Sequence, residues 1–118
     1  MFPGVDIIEI ERFARACRRQ PKIVDRLFTV REQNDLHGKS MQSWAGRFTA
    51  KEAVLKALGS GLQGLTWLDI EIINGPKGEP LAFLSKRAEA KVKARGGSAV
   101  RVSISHDRSK AIALAILC

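Results

Sequence analysis

Two carboxylates, an ammonium group and an imidazole stand out in this sequence by type and position. Asp6 lies in the apolar run VDIIEI, residues 5–10, whose β-branched residues predict a first strand. A carboxylate inside such a run is costly unless it is paired, hydrogen-bonded, bound to a cation, or exposed at a strand edge. Glu52 and Lys56 stand four apart in WAGRFTAKEAVLKALGSG, residues 44–61, so on a helix they share a face. The glycines flanking Ser60 can bring backbone N–H groups close to an anion. Hard cations such as Mg²⁺ take few protein carboxylates and complete their octahedron with water and phosphate oxygens. Asp6 and Glu52 supply that pair if the first strand lies along the helix, and Lys56 then neutralises a phosphate whose other oxygens bind the metal. The same spacing also describes an ordinary amphipathic helix with a surface ion pair, and spacing alone leaves both readings open. His106 closes a strand at the start of a loop, a common place for functional residues and equally for a histidine bonded within its own turn. There is no Walker A sequence and no GxGxxG, so the standard nucleotide folds are not indicated. No Ser-His-Asp or Cys-His signature is present, and Cys17 on a helix face reads as core.

The elements that must hold these groups follow from periodicity and punctuation. Trp44, Phe48, Leu55 and Leu58 form a helical apolar stripe, with Ser40 as N-cap and Gly59 as the stop. Before it, a helix runs from about Glu9 to Gln20 and is interrupted by Pro21. Ile23 to Phe28 form a second short helix with Ile23, Val24, Leu27 and Phe28 inward. Thr29 and Glu32 fit a capping box that opens a third, toward Leu36. After Gly61 the period changes. Thr66 to Ile73 alternates as a half-buried strand, with Leu68, Ile70 and Ile72 on one face. Residues 74–80 form a turn in which Gly75 and Gly78 supply positive φ, and Leu81 to Leu84 return. Ser85 caps a polar helix to about Arg95, ended by Gly96-Gly97. Val100, Val102 and Ile104 mark another strand, His106 to Lys110 a hairpin loop, and AIALAIL, residues 111–117, a central strand. Helices first and antiparallel hairpins last give an α+β chain with one domain over residues 1–118.

The formal net charge is +8, which favours an anionic partner. Residues 1–60 hold eleven Lys and Arg against seven acids, and residues 61–118 hold nine against five, so the excess belongs to the folded surface rather than to a tail. Its densest part runs from Arg12 to Arg31, seven basic residues with Asp25 the single acid. Arg12, Arg15 and Arg19 share a helix side, and Lys22 and Arg26 continue the spacing. Phe13 and Phe28 are its only aromatics, so base stacking is poorly supported and nucleic acid is not the expected partner. No apolar run approaches a membrane span, the N-terminus has no basic leader, and two distant cysteines without metal-type spacing fit a reduced, cytoplasmic protein. A non-enzymatic basic module is the competing reading, but it accounts for neither Asp6 nor the Glu52–Lys56 spacing.

GVDIIEIERF at 4–13, LFTVRE at 27–32, AGRFTAKEAVLKALGSG at 45–61, TWLDIEI at 66–72 and VSISHDRSKAIALAI at 102–116 resemble the holo-[acyl-carrier-protein] synthases, the small bacterial class of 4′-phosphopantetheinyl transferases. The resemblance spans nearly the whole chain in the family's order. It implies an antiparallel sheet packed on a long central helix, and Mg²⁺-dependent transfer of 4′-phosphopantetheine from coenzyme A to a serine of apo acyl carrier protein in support of fatty acid biosynthesis, releasing adenosine 3′,5′-bisphosphate. By the same resemblance Asp6 and Glu52 match the metal carboxylates and Lys56 the lysine on the pyrophosphate. Arg47, Gly59, Ser60, Gly61, Pro80 and His106 match positions lining the coenzyme A site. Arg12 matches the arginine that pairs with the acidic carrier protein, and Arg15, Arg19, Lys22 and Arg26 extend that surface. A homotrimer with active sites between subunits is implied, so His106 serves a site whose metal ligands come from a neighbouring chain. The general base is open among Glu52, Asp6 and a metal-bound water, and water is favoured because a metal-bound carboxylate is a poor base. Thr49 stands where the family commonly has a small residue such as alanine, and Ser60 replaces a frequent threonine.

Overall fold

The computed structural model describes residues 1–118. It is built around one helix, α4 (Met41–Leu58). Ser40 caps its start by accepting the N–H of Ser43. Gly59, at φ 82°, ends it and returns its N–H to the carbonyls of Leu55 and Lys56. The expected amphipathic pattern does not hold. Ala45, Thr49, Ala50, Lys51, Ala53, Val54 and Ala57 are all fully buried, so α4 is enclosed on nearly every side. Its many alanines make that enclosure possible, because they let neighbouring elements approach its backbone.

Ahead of it come β1 (Phe2–Glu9), α1 (Ile10–Arg19), α2 (Ile23–Leu27) and α3 (Val30–Leu36). The Thr29–Glu32 capping box opens α3 as expected. Behind it come β2 (Ile70–Asn74), β3 (Pro80–Leu84), α5 (Lys86–Ala94), β4 (Val100–His106) and β5 (Lys110–Leu117), with Ser85 capping α5. The strands form two antiparallel sheets rather than one. In the first the order is β1-β5-β4, with Asp6 and Ile104 both opposite Ala113; the second is the β2-β3 hairpin. β5 is the central strand, as its apolar run predicts, and it is two-sided. Ala111, Ala113, Ala115 and Leu117 face α4, whereas Ile112 and Leu114 point outward with Val5 and Ile7 of β1 and stay exposed.

Two expectations need correction. The strand after Gly61 starts at Ile70 rather than Thr66, because Trp67–Asp69 form a 3₁₀ turn and Leu68 is exposed. Asp69 makes that turn. Its carboxylate accepts the Thr66 N–H at 2.8 Å, the Ser85 hydroxyl at 2.6 Å and Arg87 at 2.7 Å. Of the two turn glycines, only Gly78 (φ 82°) has positive φ; Gly75 does not.

The core has two parts. One places Ala53, Val54, Ala57 and Leu58 of α4 against Ile70, Ile72, Val92 and the inward side of β5. The other gathers Phe13, Leu27, Phe28 and Leu36 with Trp44, Phe48 and Trp67. In it Phe13 stacks on Phe48 at 5.4 Å, and Trp67 lies 5.3 Å beyond Phe48. Beside Phe28 of this part and Ile72 of the other lies a fully buried ion pair that periodicity did not reveal. Lys51 Nζ lies 2.5 Å from Glu32 Oε1, while Glu32 also accepts the N–H groups of Ile72 and Thr29, each at 2.8 Å. Burial holds Lys51 below its ordinary pKa, opposed by the Glu32 charge. No helix is long and apolar enough to cross a membrane.

Candidate active site

The site begins where β1 crosses α4. Gly4 rests on the helix so closely that a Cβ built there would lie 2.1 Å from the Ala53 carbonyl oxygen and 2.5 Å from the Ala57 nitrogen. Backbone meets backbone at that point, and only glycine over alanines permits it. Asp6, two residues on and on the same strand face, is thereby lowered onto α4. Its Oδ2 accepts the hydroxyl hydrogen of Thr49, and its Oδ1 lies 3.0 Å from Lys56 Nζ. Thr49 and Lys56 are seven residues apart, two turns along one helix face, with Glu52 between them. The expected strand-along-helix arrangement therefore holds. The surface Glu52–Lys56 pair does not form; Lys56 goes to Asp6 instead.

Glu52 makes no ion pair. Burial, and then the Asp6 charge, hold its carboxyl above the ordinary glutamate range, with Lys56 offsetting part of the rise. Two carboxylates thus share one ammonium group, and the surplus negative charge favours a cation. No three His, Cys, Asp or Glu side chains cluster anywhere in the chain. A cation here would have two carboxylate ligands and otherwise water or phosphate oxygens, which fits Mg²⁺ rather than a soft, fully protein-ligated metal.

Glu52 and Lys56 open onto a groove of about 530 Å³ lined also by Leu55, Gly59, Gly61, Leu62 and Trp67. The glycine turn has positive φ at both Gly59 and Gly61. Two cations from α5 and the residue after it reach this turn, and no signal in the sequence pointed to them. Lys91 Nζ donates to Ser60 Oγ at 3.3 Å. Arg95 donates to the Leu58 carbonyl at 3.1 Å while its guanidinium sits 4.2 Å over the Phe2 ring. On the other side, Glu52 and Trp67 also line an apolar cavity of about 580 Å³, walled by Ile8, Phe13, Cys17 and Phe48, with Arg12 and Arg26 among its lining residues. Arg12, Arg15, Arg19, Lys22 and Arg26 are all exposed, and none forms an ion pair.

The remaining candidates lie apart. Arg47, Pro80 and His106 line a separate polar cavity of about 190 Å³ with Lys39, Asn74 and Gly78. Arg47 is buried and held by its own chain, 2.9 Å from Asp35 and donating to the Ile72 carbonyl at 2.5 Å and to Asn74 Oδ1 at 3.2 Å. Burial raises the Asp35 carboxyl, but the Asn74 N–H and the charges of Arg47 and Lys39 outweigh it, leaving the pKa low. Within one chain, then, Asp6, Glu52, Lys56 and the glycine turn come together, whereas Arg47, Pro80 and His106 form a second group.

The chain is similar to known proteins over nearly its whole length. Residues 3–115 match the family model described as the 4′-phosphopantetheinyl transferase superfamily. The chain is 45% identical over 116 residues to a holo-[acyl-carrier-protein] synthase of Clostridium acetobutylicum, covering 97% of this chain and 94% of the relative. The corresponding values for one from Salinispora arenicola are 44% over 115 residues, 96% and 93%. Among solved structures, holo-[acyl-carrier-protein] synthase of Helicobacter pylori in complex with coenzyme A superposes with a TM-score of 0.86 at 36% identity, covering 98% of this chain and 99% of that one. The Neisseria meningitidis synthase gives 0.89 at 27%, covering 99% and 97%. The chain belongs to the 4′-phosphopantetheinyl transferase superfamily.

Proposed function

We propose that this family member transfers the 4′-phosphopantetheine group of coenzyme A to a serine hydroxyl of apo acyl carrier protein, in support of fatty acid biosynthesis, with Mg²⁺ held by Asp6 and Glu52. The observation that carries this reading is the meeting of Asp6, Glu52 and Lys56 at the mouth of the glycine-turn groove. In the reaction the serine oxygen bonds to the pantetheine-bearing phosphorus. The bond from that phosphorus to the bridging oxygen breaks, adenosine 3′,5′-bisphosphate leaves, and the serine proton passes to water. Charge grows on the phosphate oxygens as this happens. Lys56, more than half exposed, is free to leave Asp6 and meet that charge. Bound Mg²⁺ supplies Lewis-acid stabilisation of the same oxygens. Gly59 and Gly61 let the backbone come close to the phosphates beside Ser60. The Arg12 to Arg26 surface meets the acidic carrier and, through the rim of the apolar cavity, guides its serine toward Glu52.

The second cavity is accounted for if the working unit is a homotrimer. Val5, Ile7, Ile112 and Leu114 leave the outer side of the sheet apolar and exposed, which suits burial against a second copy. Arg47, Pro80 and His106 of one subunit then hold the nucleotide end of coenzyme A, whose pyrophosphate lies on Asp6, Glu52 and Lys56 of the next.

Mass spectrometry of apo acyl carrier protein incubated with the chain, coenzyme A and Mg²⁺ tests the reading. A phosphopantetheine increment is expected, and Glu52→Gln abolishes it while leaving the circular dichroism spectrum unchanged. No increment on several carriers, together with tight RNA binding indifferent to coenzyme A, overturns the transferase reading in favour of a basic binding module.

A further inference from the structure

We infer that Thr49 is a positioning residue that sets the orientation of the Asp6 carboxylate and so tunes the divalent-metal affinity of the site. The inference rests on the reading of Asp6 as a metal ligand. Thr49 is fully buried in α4, under β1, and its hydroxyl donates to Asp6 Oδ2. A threonine inside a helix usually turns its hydroxyl back to the carbonyl four residues earlier, here Ala45. This one has given its single hydrogen across to another element. The other restraint on Asp6 is Lys56, whose side chain is 55% exposed and free to swing. Thr49 is therefore the fixed partner of the carboxylate and Lys56 the exchangeable one.

The geometry has a direct consequence for ligation. With Oδ2 engaged from within the fold, Oδ1 is the oxygen that faces Lys56, and it can pass from the ammonium group to a cation without the carboxylate rotating. Partners that orient a ligating carboxylate in this way commonly contribute 10- to 100-fold to metal affinity. Asp6 cannot obtain the same restraint from its own strand, because no backbone N–H donates to its carboxylate. Gly4 keeps the strand low enough for the Thr49 hydroxyl to reach it.

Electron paramagnetic resonance titration of Mn²⁺ into the full chain saturated with coenzyme A tests the inference on Thr49→Ala, Thr49→Val and Thr49→Ser, with thermal unfolding recorded alongside. Thr49→Ala and Thr49→Val are expected to weaken Mn²⁺ roughly 10- to 100-fold, and Thr49→Ser to stay within about threefold of the parent. Transfer by the alanine variant should recover toward the parental kcat as Mg²⁺ is raised. Alanine and valine variants that melt earlier but bind Mn²⁺ as the parent does assign Thr49 to packing alone and overturn the inference. If the parent itself binds no Mn²⁺, or Asp6→Ala binds it unchanged, the metal reading of Asp6 fails first and the inference falls with it.

Discussion

Replacing Gly4 with alanine should separate Asp6 from Glu52 and Thr49. The new Cβ would stand 2.1 Å from the Ala53 oxygen and 2.5 Å from the Ala57 nitrogen, both backbone atoms of a buried helix. Neither can rotate away. Real Cβ atoms essentially never come nearer than 3.0 Å, so β1 must retreat by about 0.9 Å. Asp6 shares that strand face two residues on, so its carboxylate would move with the strand, a shift that the exposed Lys56 side chain can follow but the buried Thr49 cannot. The bond from the Thr49 hydroxyl to Asp6 would stretch past the usual O–H···O range. Forcing an extra carbon into a filled space typically costs about 1–3 kcal/mol, and weakening that buried hydroxyl bond up to about 1 kcal/mol more, so a loss of about 1–4 kcal/mol is expected. A displacement of roughly 1 Å at a reacting centre is worth about 100-fold in rate. Urea unfolding and steady-state transfer at saturating Mg²⁺ measure the two effects on one preparation. A Gly4→Ala protein that loses stability yet keeps kcat within twofold would refute the argument that the height of β1 over α4 positions Asp6.

Other perturbations follow from the same contacts. Lys51→Met leaves the Glu32 carboxylate buried with only two N–H donors, and urea unfolding should show a loss of about 3–5 kcal/mol. Asp69→Asn should destabilise the fold at pH 7 by about 1–3 kcal/mol through its bonds to Ser85, Thr66 and Arg87. Burial raises the Asp69 pKa, but those bonds outweigh it and the net shift is downward. The folded protein therefore holds its charge below the pH at which the unfolded chain gains a proton. The stabilisation is complete above the ordinary carboxylate range, and the gap between parent and variant in thermal melts should close as pH falls below about 4. Arg12→Glu should lower kcat/KM for apo acyl carrier protein about tenfold at low salt, shrinking as salt rises, with KM for coenzyme A unchanged.

What was legible in the sequence was mostly local. Ser40, Thr29, Ser85 and Gly59 act through bonds within four residues, so their caps and stops are written in adjacent letters. Glu52 and Lys56 share a face by spacing alone, and Asp6 drew notice as a charge in an apolar run. At Thr66–Asp69 two local signals competed. The apolar alternation suggested a strand, but the Thr-x-x-Asp cap won because Ser85 and Arg87, more than fifteen residues away, complete the Asp69 cluster. Nothing in the sequence marks Lys51, since its partner Glu32 lies on another helix and no period links them. Arg47 entered only by resemblance, as a position lining the coenzyme A site, and its contacts with Asp35 and the Ile72 carbonyl lie outside any local pattern. Lys91 and Arg95 reach the glycine turn only because α5 folds back beside it. In each case the deciding partner was distant in sequence, which composition and periodicity do not register.

The pairing of β1 has a consequence for how the protein is made. β1 is hydrogen-bonded only to β5, with Phe2 opposite Leu117 and Asp6 opposite Ala113. During synthesis the first strand must therefore wait, unpaired, until the last has left the ribosome. Phe2 and Ile8, which pack on the core in the folded chain, stay uncovered for that whole interval, and an unpaired apolar strand is a hazard for aggregation. Pairing between the ends of the chain is also the slowest kind of contact to form. Asp6 travels with β1, so its meeting with Glu52 and Lys56 is among the last features to mature, and a ribosome stalled before β5 would release a chain whose central helix lacks one of the faces that enclose it.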